Sequence, residues 1–454
     1  MIRDQGSQNG TFVNGRPVRR SHPLAEGDTI QIGPFKLVYG RGGTTLLNPA
    51  GNYRIDAVGL RRVVTIGSPL SPATLLGQNG GPVQKEILKD ISLSVYPREF
   101  IALVGGSGAG KSTLMKALSG FAPAEGRVFV NGDDLYTNFA VYRSILGYVP
   151  QDDIIHGLLT VRSALTYSAR LRLPDASPQE IERRIDKVLD QVDMLEHDSK
   201  QINRLSGGQR KRVSIAVELL AEPGLFFLDE PTSGLDPGLE KKMMYTLRRL
   251  ADDGRTIVLV THATANITQC THVTFLAEGH MTYFGPPEEA LDYFGVREFA
   301  DIYTRLTQPV SAYTGFEQTY PGYTPGGNNE HPADGWATRF RQSAAYERHV
   351  RARGPQAQPP GGQAGAYATS HSGQNISAVQ QFTVLARRYL DLLRRDTLSL
   401  FILLAVMPII GLLLLIMTGE HDLVGKPPDV IQSELQQEID DLVAGEDPAV
   451  DDEQ

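Results

Sequence analysis

A glycine-rich loop between an apolar run and a helical one restricts the fold of this chain more than any other feature. Gly105-Gly106-Ser107-Gly108-Ala109-Gly110-Lys111-Ser112 fits the pattern G-x-x-x-x-G-K-[ST]. It follows FIALV and precedes STLMKALSGF. A strand that turns through such a loop into a helix is one unit of a parallel α/β sheet, because parallel neighbours need a long, usually helical, crossover. The glycines let backbone N–H groups turn inward around phosphate oxygens, and the helix N-terminus adds favourable partial charge. Gly105 through Thr113 are therefore the expected phosphate cradle. Lys111 is placed to reach the β- and γ-phosphates and Ser112 to ligate Mg²⁺.

From about Leu60 onward, strand-like and helical stretches alternate, which predicts an α/β domain with a mainly parallel core sheet. FIALVG and LFFLDE are short, almost wholly apolar and bounded by turn residues, as central strands covered on both faces are. The second run, Leu225–Glu230, delivers Asp229 at the carboxyl end of a strand, where ligands of α/β sheets bind. Asp229 is expected to hold Mg²⁺, directly or through water, and Glu230 to polarise an attacking water. A third element, Leu205-Ser206-Gly207-Gly208-Gln209-Arg210-Lys211-Arg212, leads into the apolar VSIAVELL and is another phosphate-friendly helix start.

LSGGQ set between the phosphate loop and the acidic strand resembles the signature of ATP-binding cassette ATPases. The likeness continues in order along the chain. Gln151, in GYVPQDD, resembles the Q-loop glutamine, Asp236, in SGLDP, the D-loop aspartate, and His262, in LVTHA, the switch histidine. The resemblance implies that Glu230, His262, Gln151 and Lys111 carry catalysis on ATP. It adds Gln151 to Ser112 and Asp229 as a Mg²⁺ ligand. GYVPQDDIIHGLLTVRSAL, LSGGQRKRVSIAVELL and DEPTSGLDP are similar to subfamily G, the white-type half-transporters. That likeness implies two cassettes closing on two ATP molecules, with Ser206, Gly207, Gly208 and Gln209 serving the ATP of the partner. The partner is an identical copy or a related half-transporter. The short spacing from signature to Asp229 is unlike that of DNA-repair relatives. VQKEILKDISL, ahead of the core, holds no aromatic residue, so no adenine-stacking residue is assigned; Tyr96 lies near the loop in sequence.

Residues 398–418, LSLFILLAVMPIIGLLLLIMT, are uncharged and mostly apolar. Their length matches a bilayer core of about 30 Å at 1.5 Å per residue. Arg387, Arg388, Arg394 and Arg395 precede this run, while Glu420 and Asp422 follow it, which places the N-terminal bulk on the cytoplasmic side of a cell membrane. One span cannot form a solute pathway, so further membrane helices are expected. Residues 429–454 hold ten acidic and no basic residues, leaving the remainder about neutral, and no nucleic-acid footprint is present. This tail reads as a solvated run. Cys270 is the only cysteine, which excludes an intrachain disulfide and a cysteine metal cluster. The N-terminus has no apolar h-region and is not a signal peptide.

GSQNGTFVNGRPV followed by LAEGDTIQIGPFKLVYG resembles the later part of a forkhead-associated domain, a phosphothreonine-binding β-sandwich. Ser7, Asn9, Gly10 and Thr11 match its S-x-N-G-T turn. The upstream arginine and serine–histidine motif of that family would lie before Met1, so phosphopeptide binding by this chain is not expected. The piece is a truncated domain or a degenerate remnant. The expected order is a partial β-module at 1–40, a linker at 41–59 and the cassette at 60–300. A partly disordered linker at 301–376 follows, then an amphipathic connecting helix at 377–397, the membrane helix at 398–418 and the acidic tail at 419–454. Within 301–376, WATRFRQSAAYERHV reads as an amphipathic helix. The function expected is a transporter ATPase, an exporter by subfamily resemblance. The alternatives are a nucleotide-gated regulator that recruits phosphoproteins and a soluble cassette acting on translation or DNA.

Overall fold

The computed structural model describes residues 1–5, 10–33, 35–40, 43–46, 52–66, 83–152, 154–262, 264–308, 331–354, 377–417 and 428–444. The chain divides into two units, Met1–Ala386 and Arg387–Gln454. The N-terminal module is one antiparallel sheet in the order β2-β1-β3-β4-β5. Its strands are β1 (Thr11–Val13), β2 (Arg16–Pro17), β3 (Thr29–Ile32), β4 (Phe35–Gly40) and β5 (Gly43–Leu46). Asn14 and Gly15, with φ of 50° and 76°, form the two-residue turn that pairs β1 with β2. Val13, Val18 and Ile30 are its core. The sheet runs to Leu46, past the expected boundary at 40, because β5 pairs with β4 through backbone bonds that need no apolar alternation. Ser7 and Asn9 lie outside the described residues. Thr11 Oγ1 donates to Asp4 Oδ1 at 2.7 Å.

The next sheet begins with the long antiparallel pair β6 (Ile55–Ile66) and β7 (Val83–Val95), which spans the expected boundary at residue 60. With β9 (Glu125–Val130) and β10 (Asp133–Asp134) they form a sheet ordered β10-β9-β6-β7. Lys36 of the N-terminal module pairs with Asp133 at 2.8 Å. The main sheet is ordered β11-β12-β13-β8-β14-β15 and is parallel except for its last pair. It is built from β8 (Phe100–Gly105), β11 (Leu146–Val149), β12 (Leu225–Asp229), β13 (Thr256–Thr261), β14 (His272–Ala277) and β15 (His280–Gly285). Every residue of β8, β12 and β13 is buried, as expected of apolar strands covered on both faces. Helices α1 (Lys111–Leu118), α2 (Val161–Arg172), α3 (Pro178–Gln191), α4 (Gly207–Leu219) and α5 (Pro237–Asp252) supply the helical layers. The register aligns Asp229 with Val260 and Thr261 with Val104. The phosphate loop, Glu230 and His262 therefore leave one edge of the sheet side by side, on strands about 4.8 Å apart.

Residues 331–354 fall within the stretch expected as linker, and the structure corrects this. After α6 (Pro287–Phe294) and α7 (Phe299–Leu306), α8 (Pro332–Gln342) packs Trp336 and Phe340, both 1% exposed or less, among Tyr283, Tyr293 and Phe294. Trp336 Nε1 donates to the Arg305 and Gln308 carbonyls at 3.2 Å. Burial of this aromatic face holds the segment on the cassette. Its end is pinned as well: Arg353 donates to both oxygens of Glu99 at 2.6 Å and stacks 4.1 Å over Tyr96. Residues 309–330 and 355–376 lie outside the described residues.

Beyond them come α9 (Ala378–Arg395), α10 (Thr397–Met417) and α11 (Pro428–Ala444). Asp396 caps α10 by accepting from the Ser399 N–H at 3.1 Å and its hydroxyl at 2.7 Å. Residues 397–416 have a mean hydropathy of 2.9 and are long and apolar enough to cross a membrane. Part of the acidic tail, expected as a solvated run, is helical in α11.

Candidate nucleotide site

Two glycines of the phosphate loop, Gly105 and Gly110, cannot take a Cβ without movement of the backbone. A Cβ on Gly110, whose φ is 98°, would sit 2.7 Å from the Ile87 carbonyl, and one on Gly105 would run into the Leu276 carbonyl. Gly106 and Gly108 have open space around a Cβ. Lys111, at the first position of α1, folds back so that Nζ donates to the Gly105 and Gly106 carbonyls at 2.9 and 2.8 Å. Burial lowers its pKa, and the Glu230 and Asp229 charges work against that shift. A phosphate would relieve both tensions, since it offers stronger acceptors than carbonyls.

Ser112 Oγ donates to Asp229 Oδ1 at 3.0 Å. Burial raises the Asp229 pKa, the Ser112 hydrogen bond opposes this, and the Glu230 charge adds to it. A cation set here would reverse that shift. One hydroxyl and one carboxylate suit Mg²⁺, which takes a few protein oxygens and fills its octahedron with phosphate and water. No cluster of three or more His, Cys, Asp and Glu side chains suited to a metal occurs among the described residues.

Glu230 follows β12 with a φ of 48°, so the chain turns sharply out of the sheet at this residue. Its backbone N–H donates to the Val260 carbonyl at 3.0 Å, which fixes the turn against β13. The carboxylate meets two side chains. His262 Nε2 lies 2.6 Å from Oε1, and Gln151 Nε2 donates to Oε2 at 3.2 Å. Gln151, Glu230 and His262 thus converge beside the Ser112–Asp229 pair, and each carboxylate oxygen keeps a lone pair.

The signature and D-loop residues are held apart from this group, in helix caps. Ser206 and Gln209 form a reciprocal capping box at the start of α4, with backbone-to-side-chain distances of 3.3 and 3.0 Å. Asp236 caps α5 by accepting from the Gly238 and Leu239 N–H groups at 3.0 Å. A Cβ on Gly208 would lie 3.0 Å from Leu235 Cδ2, so the two caps are in contact.

Two tyrosines escaped the motif reading. Tyr148 on β11 lies near Asp229, and burial together with Asp229 pushes its hydroxyl up to about 12. Its place three residues before Gln151 was the available signal. Tyr303 on α7 donates to the His262 carbonyl at 3.3 Å, and nothing local in FADIYTRL marks that role. Tyr96 lies just before β8, at the end opposite Gly105, where Arg54 and Arg353 stack on it at 4.7 and 4.1 Å. It is thereby placed away from the phosphate loop, beside which Ile87 lies.

The family profile described as "ABC transporter" matches residues 88–233, and that described as "FHA domain" matches residues 1–33. The chain is 36% identical over 415 residues to the ABC transporter ATP-binding/permease protein Rv1747 of Mycobacterium tuberculosis, covering 90% of this chain and 42% of that protein. It is 38% identical over 224 residues to ABC transporter G family member 22 of Arabidopsis thaliana, covering 47% and 29%. To the broad substrate specificity ATP-binding cassette transporter ABCG2 of Bos taurus it is 39% identical over 228 residues, covering 48% and 34%. The chain spans less than half the length of these relatives. Among solved structures, the dimeric post-hydrolysis state of the ATP-binding cassette MJ0796 bound to ADP and Pi is 24% identical with a TM-score of 0.44, covering 51% of this chain and 98% of that one. CbiO1 from Clostridium perfringens, part of the transporter complex cbiONQ, is 27% identical with a TM-score of 0.45, covering 56% and 93%.

Proposed function

We propose, for a chain whose residues 88–233 match the ABC transporter family profile and whose residues 1–33 match an FHA domain, that the cassette hydrolyses MgATP to drive export across a cell membrane. The convergence of Gln151 and His262 on the Glu230 carboxylate, beside the phosphate loop, carries this reading. Lys111 exchanges its two carbonyl partners for the β- and γ-phosphates. Ser112 and Asp229, with Gln151, would hold Mg²⁺, which would supply charge neutralisation for the phosphates. Glu230 accepts a proton from the attacking water, oriented by Gln151 and His262, as the bond to the γ-phosphorus forms and the bond to the ADP oxygen breaks.

Ser206, Gly207, Gly208 and Gln209 serve the ATP of a second cassette, from an identical copy or a related half-transporter. The position of Ser206, Gly207 and Gly208 at the N-terminus of α4 supports this, since a helix start favours phosphate. Residues 397–417 cross the membrane with the cassette on the cytoplasmic side, and further membrane helices complete the pathway. The test is Mg²⁺-dependent ATPase activity of the detergent-solubilised chain beside Glu230→Gln and Lys111→Ala. Glu230→Gln should bind ATP normally and turn over slower by on the order of 10²–10⁴, while Lys111→Ala should lose ATP binding. Wild-type-like turnover in Glu230→Gln would refute the role given to that carboxylate.

A further inference from the structure

Lys211 is the fifth residue of α4, and only 6% of it is exposed. Its ammonium leaves the signature helix and crosses to the loop that follows β11. Nζ donates to the Pro150 carbonyl at 3.0 Å and to the Gln151 carbonyl at 2.6 Å. Burying an ammonium is costly unless it is fully hydrogen-bonded, so this side chain holds the loop backbone firmly. The loop backbone in turn carries the Gln151 side chain, whose amide donates to Glu230. A continuous hydrogen-bonded path thus runs from the signature helix through Lys211 to the Gln151 main chain, and through its side chain to Glu230.

We propose that Lys211 is a positioning residue for hydrolysis. It sets the Gln151 main chain relative to α4, so that a displacement of the signature helix is felt at Glu230 of the same subunit. This rests on the reading of Glu230 as the water-activating carboxylate. Lys211 touches none of the reacting atoms; it acts through Gln151. The other ties of α4 point elsewhere: Glu218 pairs with Arg172 on α2, and Arg212 Nη1 donates to the Val192 and Asp193 carbonyls just past α3. Lys211 thus ties this helix to the Gln151 main chain.

The test uses the full chain in detergent, comparing wild type with Lys211→Met, which keeps the length and removes the donors, and Lys211→Arg, which keeps a cationic donor. Steady-state MgATP hydrolysis is measured together with amide hydrogen exchange over residues 147–158. In Lys211→Met, kcat should fall on the order of ten- to a hundredfold with KM unchanged, as expected for lost hydrogen bonds to a charged group. Exchange over 147–158 should quicken while residues 100–118 keep their protection, and Lys211→Arg should recover most of the activity.

The proposal is overturned if Lys211→Met keeps wild-type kcat and exchange. It is equally overturned if exchange quickens across the whole cassette and KM rises with the fall in kcat, because that is general loosening. If Lys211→Met does not fold, Lys211→Gln replaces it with the same expectations. A wild-type chain without turnover would refute the proposed function instead, and the exchange comparison would still decide whether Lys211 holds the loop.

Discussion

Acidification should loosen the packing of residues 331–354 through His272. The side chain is 12% exposed, stacks on Phe284 with centroids 5.3 Å apart, and meets His349 edge-on at 5.6 Å. Arg353 Nη1 lies 2.7 Å from its Nε2. A guanidinium can only donate, so the imidazole is neutral and its proton sits on Nδ1, 3.4 Å from Glu99 Oε1. Arg353 neutralises that carboxylate through its two 2.6 Å contacts, so Glu99 does not offset the cations nearby. Burial first, then the Arg353 and His349 charges, lower the His272 pKa from 6.5 to about 3.

Between those values the unfolded chain binds a proton that the folded chain does not. Stability therefore falls as pH drops below 6.5, and the loss is complete only near 3. From pH 7.5 to 5.0 the difference is about 2 kcal/mol, out of a full effect of about 5 kcal/mol. The chain's single tryptophan, Trp336, is buried on α8 within the same docked segment, so its fluorescence during urea unfolding reports the loss directly. His272→Gln keeps an acceptor for Arg353 and cannot titrate. Wild type should lose about 2 kcal/mol more than this variant between the two pH values. Parallel pH profiles for the two proteins would refute the assignment of a buried neutral imidazole.

The phosphate loop offers an internal control. Gly110→Ala, with its Cβ 2.7 Å from the Ile87 carbonyl and a φ of 98°, should abolish binding of a fluorescent ATP analogue, whereas Gly106→Ala, which has open space, should retain it; equal loss in both would refute the steric argument. Trp336→Ala should destabilise the docked segment by about 3–5 kcal/mol. It should also open Arg339 and Arg341 to trypsin while Lys111 stays protected, and digestion patterns identical to wild type would count against the docking.

The nucleotide site was legible because it is assembled from strand ends. Short apolar runs bounded by turn residues fix β8, β12 and β13, and parallel pairing then brings their carboxyl ends together without any further information. Gln151 and His262 needed the family resemblance, since a glutamine after one strand and a histidine after another carry no local mark of convergence. The helical stretch at 336–350 is legible from its amphipathic pattern, but its docking is not, for a related reason. The Gly- and Pro-rich residues before and after it look like linker, and the pairs that hold it have no local signature: Arg353 meets Glu99 from 254 residues away.

The run Arg210-Lys211-Arg212 makes the same point inside the signature itself. Three consecutive cations on a helix normally read as a solvated face, since successive side chains point about 100° apart. Here each one ends on a main-chain carbonyl of a different segment. Arg210 Nη1 donates to Leu205 at 3.3 Å, Lys211 to Pro150 and Gln151, and Arg212 to Val192 and Asp193. Those carbonyls belong to turns and loop ends, where the backbone has no ladder partner and would otherwise need water. The Arg210 bond closes on the residue just before the helix's own cap, whereas Lys211 and Arg212 tie α4 to two distant loops, and the one after β11 carries Gln151, whose side chain reaches Glu230. That asymmetry separates Lys211, tied to the loop whose Gln151 side chain meets Glu230, from Arg210 and Arg212, tied to carbonyls elsewhere.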